Sequence, residues 1–484
     1  MNDFASAYFL IFSNLFWVNL ILAVILVIFE RKNPTSTWLW LMVLFFLPVV
    51  GFLFYLIIGQ DLSKKKTFKM KADEDDCFDE MVKEQEKLFS SKEFREENSE
   101  YFIYEDIINL HLKGDKSIFT YHNDVELIFN GNDKFKELFE SIKKAKNYIY
   151  IEYYIFKSDH IGSEFLDILT QKASEGIEVK LLVDGMGGRK LAKKSLEPLK
   201  QAGGEVAFFF PSIIPYINTR VNYRNHRKIC IIDGKEAFLG GFNVGDEYLG
   251  LSKKFGNWRD THIKLRGEAI SFVLWQFFVD WRFATKKELK GCQTYIDNPD
   301  SSKTGIQIVS SGPDSKWPGI KDGYFKMISN AKYKLYIESP YFIPDDSIFE
   351  ALKIASLSGV DVRVMVPNKP DHPFVYWAGT SYMGELLEAG VKFYTYQKGF
   401  LHSKVLIMDD FVSSVGTANL DIRSFKLNFE INAFIYDRDI NAKLTKRFID
   451  DIDNCKEMTL EEYNNRSNII KIKESFSRLL SPIL

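Results

Sequence analysis

Apolar residues along this chain follow three patterns. The first is continuous. No charged residue interrupts Phe4 to Phe29, a run of 26, and "WLWLMVLFFLPVVGFLFYLII" fills residues 38–58, a run of 21. About 20 apolar residues suffice to cross a bilayer as a helix. The pattern therefore predicts a two-helix transmembrane hairpin over residues 1–60, with helices at about 7–29 and 38–58. Trp38 and Trp40 open the second run, where interfacial aromatics belong, and Pro48 and Gly51 are tolerable kink points within it. Between the runs Arg31 and Lys32 stand against Glu30, whereas Lys64, Lys65, Lys66, Lys69 and Lys71 follow the second run. The denser basic cluster stays inside. The expected topology is two spans in the cell membrane, with the amino terminus and everything after residue 58 facing the cytoplasm.

The second pattern begins after a charged connector, residues 61–110, and repeats. "AKNYIYIEYYIF" at 145–156 matches "AKYKLYIESPYF" at 331–342, an offset of 186. "GIEVKLLVDG" at 176 matches "GVDVRVMVPN" at 359, and "LKQAGGEV" at 199 matches "LLEAGVKF" at 386. "HRKICIID" at 226 then meets "HSKVLIMD" at 402, where the offset has fallen to 176, so the first copy carries extra residues that fit in "FFFPSIIPYINTRVNYRN". Continuous apolar strands alternating with amphipathic helices predict an α/β unit with a mostly buried sheet. Two such units, 111–295 and 296–460, would form a pseudo-dimer within one chain. The third pattern is the tail, 461–484, where Ile469, Ile472, Phe476 and Leu479 recur at helical spacing among Lys471, Lys473 and Arg478. Periodicity does not say whether that stripe faces protein or lipid.

Composition narrows the function classes. An apolar content of 46% excludes wholesale disorder, and a formal charge of -2 lacks the basic excess of a nucleic-acid binder. Cys77, Cys230, Cys292 and Cys455 lack metal-type or redox-type spacing and read as free thiols in a reducing compartment.

In an extended chain residues i and i+2 share a face, so His226 points with Lys228 and His402 with Lys404. One such pair on an apolar strand would carry no meaning, but here it recurs in the same place in both repeats. Asp233 and Asp409 follow seven residues after each histidine, at turn-like "DG" and "DD", where a turn or a structural ion pair competes with a catalytic role. Gly240, Gly241 and Asn243 follow the first motif; Gly416, Thr417 and Asn419 follow the second. Two histidines, two lysines and the amides of Asn243 and Asn419 complement one phosphodiester and its pentacoordinate transition state. No acidic cluster stands nearby to hold a divalent ion, so metal-independent chemistry without a cofactor is expected. His111, His122, His160, His262 and His372 have no repeated context and read as surface or packing residues. Glu152 and Glu338 match across the repeats, in a cleft role or an architectural one.

The doubled H-x-K-x4-D pattern, His226-Lys228-Asp233 and His402-Lys404-Asp409, resembles the signature of the phospholipase D superfamily. With the leading apolar runs, "WRDTH" after the first motif and the closing "RLLSPIL", the whole chain resembles bacterial cardiolipin synthases. The resemblance implies two tandem phospholipase D-like repeats. It implies a phosphohistidine on one motif histidine, with the other as general acid and base; motif order makes His226 the nucleophile. It also implies a carboxylate on the far nitrogen of each histidine, with Glu430, 28 residues after His402, as one candidate and Asp260, aligned with it, as the other. The implied reaction joins two phosphatidylglycerol molecules into cardiolipin and glycerol. The motifs alone leave open a membrane-bound phospholipase D or a phosphatidyltransferase using another alcohol.

Overall fold

The structure, a computed structural model, describes residues 17–28, 34–47, 50–51, 55, 75–210, 223–287, 303–369 and 371–482. The lysines at 64–71, residues 211–222 of the insertion, residues 4–16 and 29 of the first apolar run and residues 48–49, 52–54 and 56–58 of the second, Pro48 among them, lie outside them. The chain divides into two compact units, one holding the amino-terminal residues through Ala72, the other beginning at Asp73.

In the amino-terminal unit residues 17–28 are helical, and a second helix, Pro34–Phe46, starts on a proline, whose fixed φ suits a first turn. The two helices touch: the Asn19 side-chain amide donates to the Leu44 carbonyl at 2.8 Å, and Leu26, Leu44 and Tyr55 are buried together. Most other large apolar side chains of the pair, among them Ile21, Val27, Met42 and Phe45, are exposed. Among the described residues no helix is long and apolar enough to cross a membrane.

The second unit is built on two sheets of one topology. In spatial order the first runs Asn123–Ile128, His262–Gly267, Glu236–Gly240, Lys228–Ile232, Tyr148–Tyr153, Glu178–Asp184 and Glu205–Phe209. The second repeats that order as Gly305–Ser311, Asn428–Tyr436, Val412–Gly416, Val405–Met408, Lys334–Glu338, Asp361–Pro367 and Lys392–Tyr396. In each, the first five strands pair antiparallel and the last three parallel. Parallel strands need a crossover, supplied by the helices His160–Ser174 and Asp346–Leu357. Their equivalent N-caps accept the same turn-closing bond, Asp159 from Gly162 N and Asp345 from Ile348 N.

Two departures from the expected boundaries have physical causes. The stretch read as a charged connector forms helices whose Phe89, Phe94, Ile107 and Ile108 are buried in the core of the second repeat with Val309, Ile320 and Tyr324. Its charges lie on the outer face and hide a helical apolar stripe. Phe119–Thr120, assigned to the first repeat, pairs with Gly305–Ser311 at the edge of the second sheet.

The repeats also trade backbone. Arg224–Asn225, just ahead of the first motif, pairs with Asn428–Phe429 of the second repeat, and Gly399–Leu401, just ahead of the second motif, pairs with Asn257–Arg259 of the first. The exchange ends on the histidines: His226 N donates to Phe429 O at 2.9 Å, and His402 N to Arg259 O at 2.7 Å.

Candidate active site

That exchange determines which carboxylate each histidine meets. Phe429 is followed by Glu430, and Arg259 by Asp260. His226 Nδ1 lies 2.9 Å from Glu430 Oε2, and His402 Nδ1 lies 2.6 Å from Asp260 Oδ2. Each histidine is therefore held by the carboxylate of the other repeat. Both carboxylates are wholly buried. A carboxylate on Nδ1 selects the tautomer that leaves Nε2 as the remaining nitrogen.

The motif residues lie at the entry to their strands rather than within them: Lys228 opens Lys228–Ile232, and Val405–Met408 begins one residue after Lys404. The expected alternation of side chains nevertheless holds. Each lysine ammonium donates to the carbonyl of its own motif histidine. The residue between them turns to the opposite side, where Arg227 bonds Asp280 at 2.6 Å and Ser403 bonds Thr261 at 2.7 Å. Aromatic rings wall the imidazoles, Tyr154 at 4.9 Å from His226 and Trp258 at 5.2 Å from His402, centroid to centroid.

Burial sets the electrostatics. It pulls both histidines down to about 4, against the opposing pull of Glu430 on His226 and, for His402, with the Lys404 charge adding to the depression. Both imidazoles are neutral at pH 7. Burial likewise brings Lys228 to about 7 and Lys404 to about 8. Burial alone would raise the Glu430 carboxyl, but His226 and Lys228 outweigh it and hold the group below its ordinary value. The Lys404 charge is felt at His226 and the Lys228 charge at His402, so both motifs surround one locus. Two lysines, two histidines and the carboxylates of Glu430 and Asp260 share a poorly solvated space. A bound phosphodiester would add a negative charge that favours the protonated lysines and histidines.

Two residues selected from sequence stand apart from this cluster. Asp233 and Asp409 sit at the far ends of their strands, about 20 Å of extended chain from the histidines. Each accepts three main-chain amides: Lys146, Asn147 and Tyr148 for Asp233, and Lys332, Tyr333 and Lys334 for Asp409. They fasten the turn that enters the neighbouring strand, the structural role weighed against a catalytic one for both. Asn243 accepts from Ile155 N and donates to Tyr248 Oη, and the Asn419 amide donates to Asp421 at 3.3 Å; each NH2 carries a second donor hydrogen beyond these bonds. Glu338 pairs with Arg259 and Glu152 with Asn225, which is architecture. His111 and His262 are buried in packing.

Sequence reading missed the buried ion pairs Arg227–Asp280 and Arg259–Asp451, which lock each motif to its supports. A signal existed in "FFVDWRF", where Asp280 falls within a mainly apolar helix. Among the described residues no group of three or more His, Cys, Asp or Glu is placed to hold a metal ion.

Two tandem sheets that present one histidine and one lysine each to a common locus define a phospholipase D-like class of protein. The same fold occurs in the crystal structure of phosphatidylserine synthase from Haemophilus influenzae Rd KW20, with a TM-score of 0.61 at 16% identity over 78% of this chain and 100% of that one. A family model described as "Cardiolipin synthase, PLD-like domain" matches residues 138–254 and 324–452, and one described as "Phospholipase_D-nuclease N-terminal" matches 19–60. The major cardiolipin synthase ClsA of Bacillus subtilis (strain 168) is 49% identical over 480 residues, covering 98% of this chain and 99% of its own. A cardiolipin synthase of Staphylococcus aureus (strain N315) is 47% identical over 476 residues, covering 98% and 96%. The chain belongs to the cardiolipin synthase family.

Proposed function

We infer that this chain is a cardiolipin synthase that moves a phosphatidyl group from one phosphatidylglycerol to the terminal hydroxyl of another. Nearly half of its residues are shared, end to end, with cardiolipin synthases. The observation that carries the mechanism is the crossed pair of dyads, His226–Glu430 and His402–Asp260.

In this reading His226 Nε2 attacks phosphorus. The P–O bond to the headgroup glycerol breaks, and His402 gives that oxygen its proton, releasing glycerol. The hydroxyl of a second phosphatidylglycerol then loses its proton to His402 and attacks phosphorus. The P–N bond breaks, returning His226 and yielding cardiolipin. Electrons and protons balance without an oxidant or an activated donor. The free site holds His402 neutral, so it must gain its proton as the anionic diester binds, and the same charge keeps Lys228 and Lys404 protonated. The lysines then stabilise the equatorial oxygens of the pentacoordinate state.

The membrane placement completes the reading. Two spans cross the cell membrane within residues 1–60, and the catalytic repeats face the cytoplasm, where phosphatidylglycerol is drawn from the inner leaflet. Helices apolar on every side, with Ile21, Met42 and Phe45 exposed, support this, because such surfaces suit lipid. Purified protein supplied with phosphatidylglycerol as sole lipid tests the activity by thin-layer chromatography. Cardiolipin with equimolar glycerol is the expected outcome; phosphatidic acid would make the enzyme a hydrolase.

A further inference from the structure

The tail helix Asn468–Leu479 is mounted with its polar side inward. Glu474 and Ser477 are 3% and 1% exposed, and Glu474 is held by Arg466 at 2.8 Å. The apolar stripe faces out: Ile472, Phe476 and Leu479 are 57%, 68% and 77% exposed. A helix stabilised only by packing on its own protein would be turned the other way. The cations of the helix flank its contact with the neighbouring elements, Lys473 over the Trp377 ring and Arg478 over the Tyr382 ring. Its one acid is the buried Glu474, so the exposed face is apolar and basic without negative charge.

We propose that this face is a docking surface for an anionic bilayer, through which the catalytic unit rests on the leaflet that supplies its substrate. This inference rests on the lipid-transferase reading above. Charge selects the occupant. A second copy of the same face, related by a two-fold axis, would set Lys471, Lys473 and Arg478 against their own counterparts, whereas an anionic leaflet complements them.

Position links the surface to the site. The tail packs along helix Pro373–Ser381, which starts two residues after Asp371. Asp371 accepts the Tyr341 hydroxyl, and its charge reaches Lys404. Phe374, in the first turn of that helix, is itself 55% exposed. Phe374 thus adds exposed apolar surface at the start of the helix on which the tail packs.

The test uses the full chain with Ile472→Glu, Phe476→Glu and Leu479→Glu together, substitutions at exposed positions that leave the melting temperature unchanged. Turnover in phosphatidylglycerol proteoliposomes should fall by about tenfold or more, while turnover of short-chain phosphatidylglycerol in neutral detergent micelles stays within about twofold. Equal effects in the two assays overturn the proposal. A second reading is independent of catalysis: Phe476→Cys carrying a polarity-sensitive fluorophore, with the unsubstituted chain as labelling control, should shift to the blue in phosphatidylglycerol proteoliposomes relative to phosphatidylcholine ones. The same spectrum in both overturns it. So does a drop in the mass of the detergent-solubilised protein on the triple substitution, which assigns the face to a second copy. If the unsubstituted enzyme makes no cardiolipin in micelles, the activity assignment fails, and the fluorescence result stands apart from it.

Discussion

Glu430→Gln removes one charge from the site and almost no volume. Glu430 is wholly buried, with its two oxygens 2.9 and 3.0 Å from His226 Nδ1 and a further bond from the Asn428 amide at 3.1 Å. A hydrogen bond to a charged partner contributes about 1.5–3 kcal/mol and a neutral one about 0.5–1.5, so the ground-state loss is about 1–2 kcal/mol. The larger loss comes during attack, when the imidazole becomes positive. Two unit charges about 4 Å apart interact by about 4 kcal/mol at an effective dielectric of 20, and glutamine forfeits that term. If the glutamine amide turns its NH2 toward Nδ1, the ring is driven into the tautomer that protonates Nε2, the nitrogen needed for phosphorus. The same carboxylate-to-amide change in a serine protease triad costs about 10⁴ in turnover. The expected fall in kcat is therefore about 10²–10⁴-fold, with a melting temperature lowered by only a few degrees. It is read as initial cardiolipin formation in mixed micelles, together with acid-labile phosphoenzyme in a quenched single turnover, which should form more slowly. A kcat within tenfold of the parent, or a loss matched by a collapse in melting temperature, would refute the orienting role.

Further outcomes follow from the same geometry. His226→Ala and His402→Ala should each cost at least about 10²–10⁴ in turnover, with Lys228→Ala and Lys404→Ala close behind, and substantial activity in both histidine variants contradicts the assignment. In the free enzyme kcat/KM should fall as pH drops below about 4, where His226 gains a proton and can no longer attack; it should decline as pH rises above about 4, because His402 must take up a proton, and more steeply through about 7 to 8, where Lys228 and Lys404 lose theirs; a profile with no steepening through about 7 to 8 counts against lysine charge as the phosphate ligand. Asp233→Asn and Asp409→Asn should each lower stability by about 1.5–3 kcal/mol, as amide acceptors with no charge, while turnover per folded molecule is kept. Gly241→Ala places a Cβ onto the Asp260 carboxylate and should push it off His402, matching Asp260→Asn in lost turnover at modest cost in melting temperature. A chelator in detergent micelles should leave the rate within about twofold, and loss restored by one specific ion at stoichiometric amounts would require a metal ligand set.

Much of this protein is determined by local pattern. The apolar strands "YIYIEY" and "KLYIE", the caps Asp159 and Asp345, and the His-x-Lys alternation depend on neighbours within a few residues, so the repeat, the α/β architecture and the four histidines and lysines of the motifs are legible in the chain itself. What lies across the fold is not. That Glu430 serves His226 and Asp260 serves His402 follows from backbone exchanged between repeats, over separations of 204 and 142 residues. Asp233 reads as a motif member because it is near in sequence, yet an extended strand carries it away from the pocket and into an amide-lined turn. The helices of 75–115 show their charges along the chain and reveal their buried stripe only against the second sheet. The tail gives the sharpest case: periodicity shows that one side of Asn468–Leu479 is apolar, but an apolar stripe is equally satisfied by protein or by lipid. Only the burial of Glu474 and Ser477 decides which way it faces.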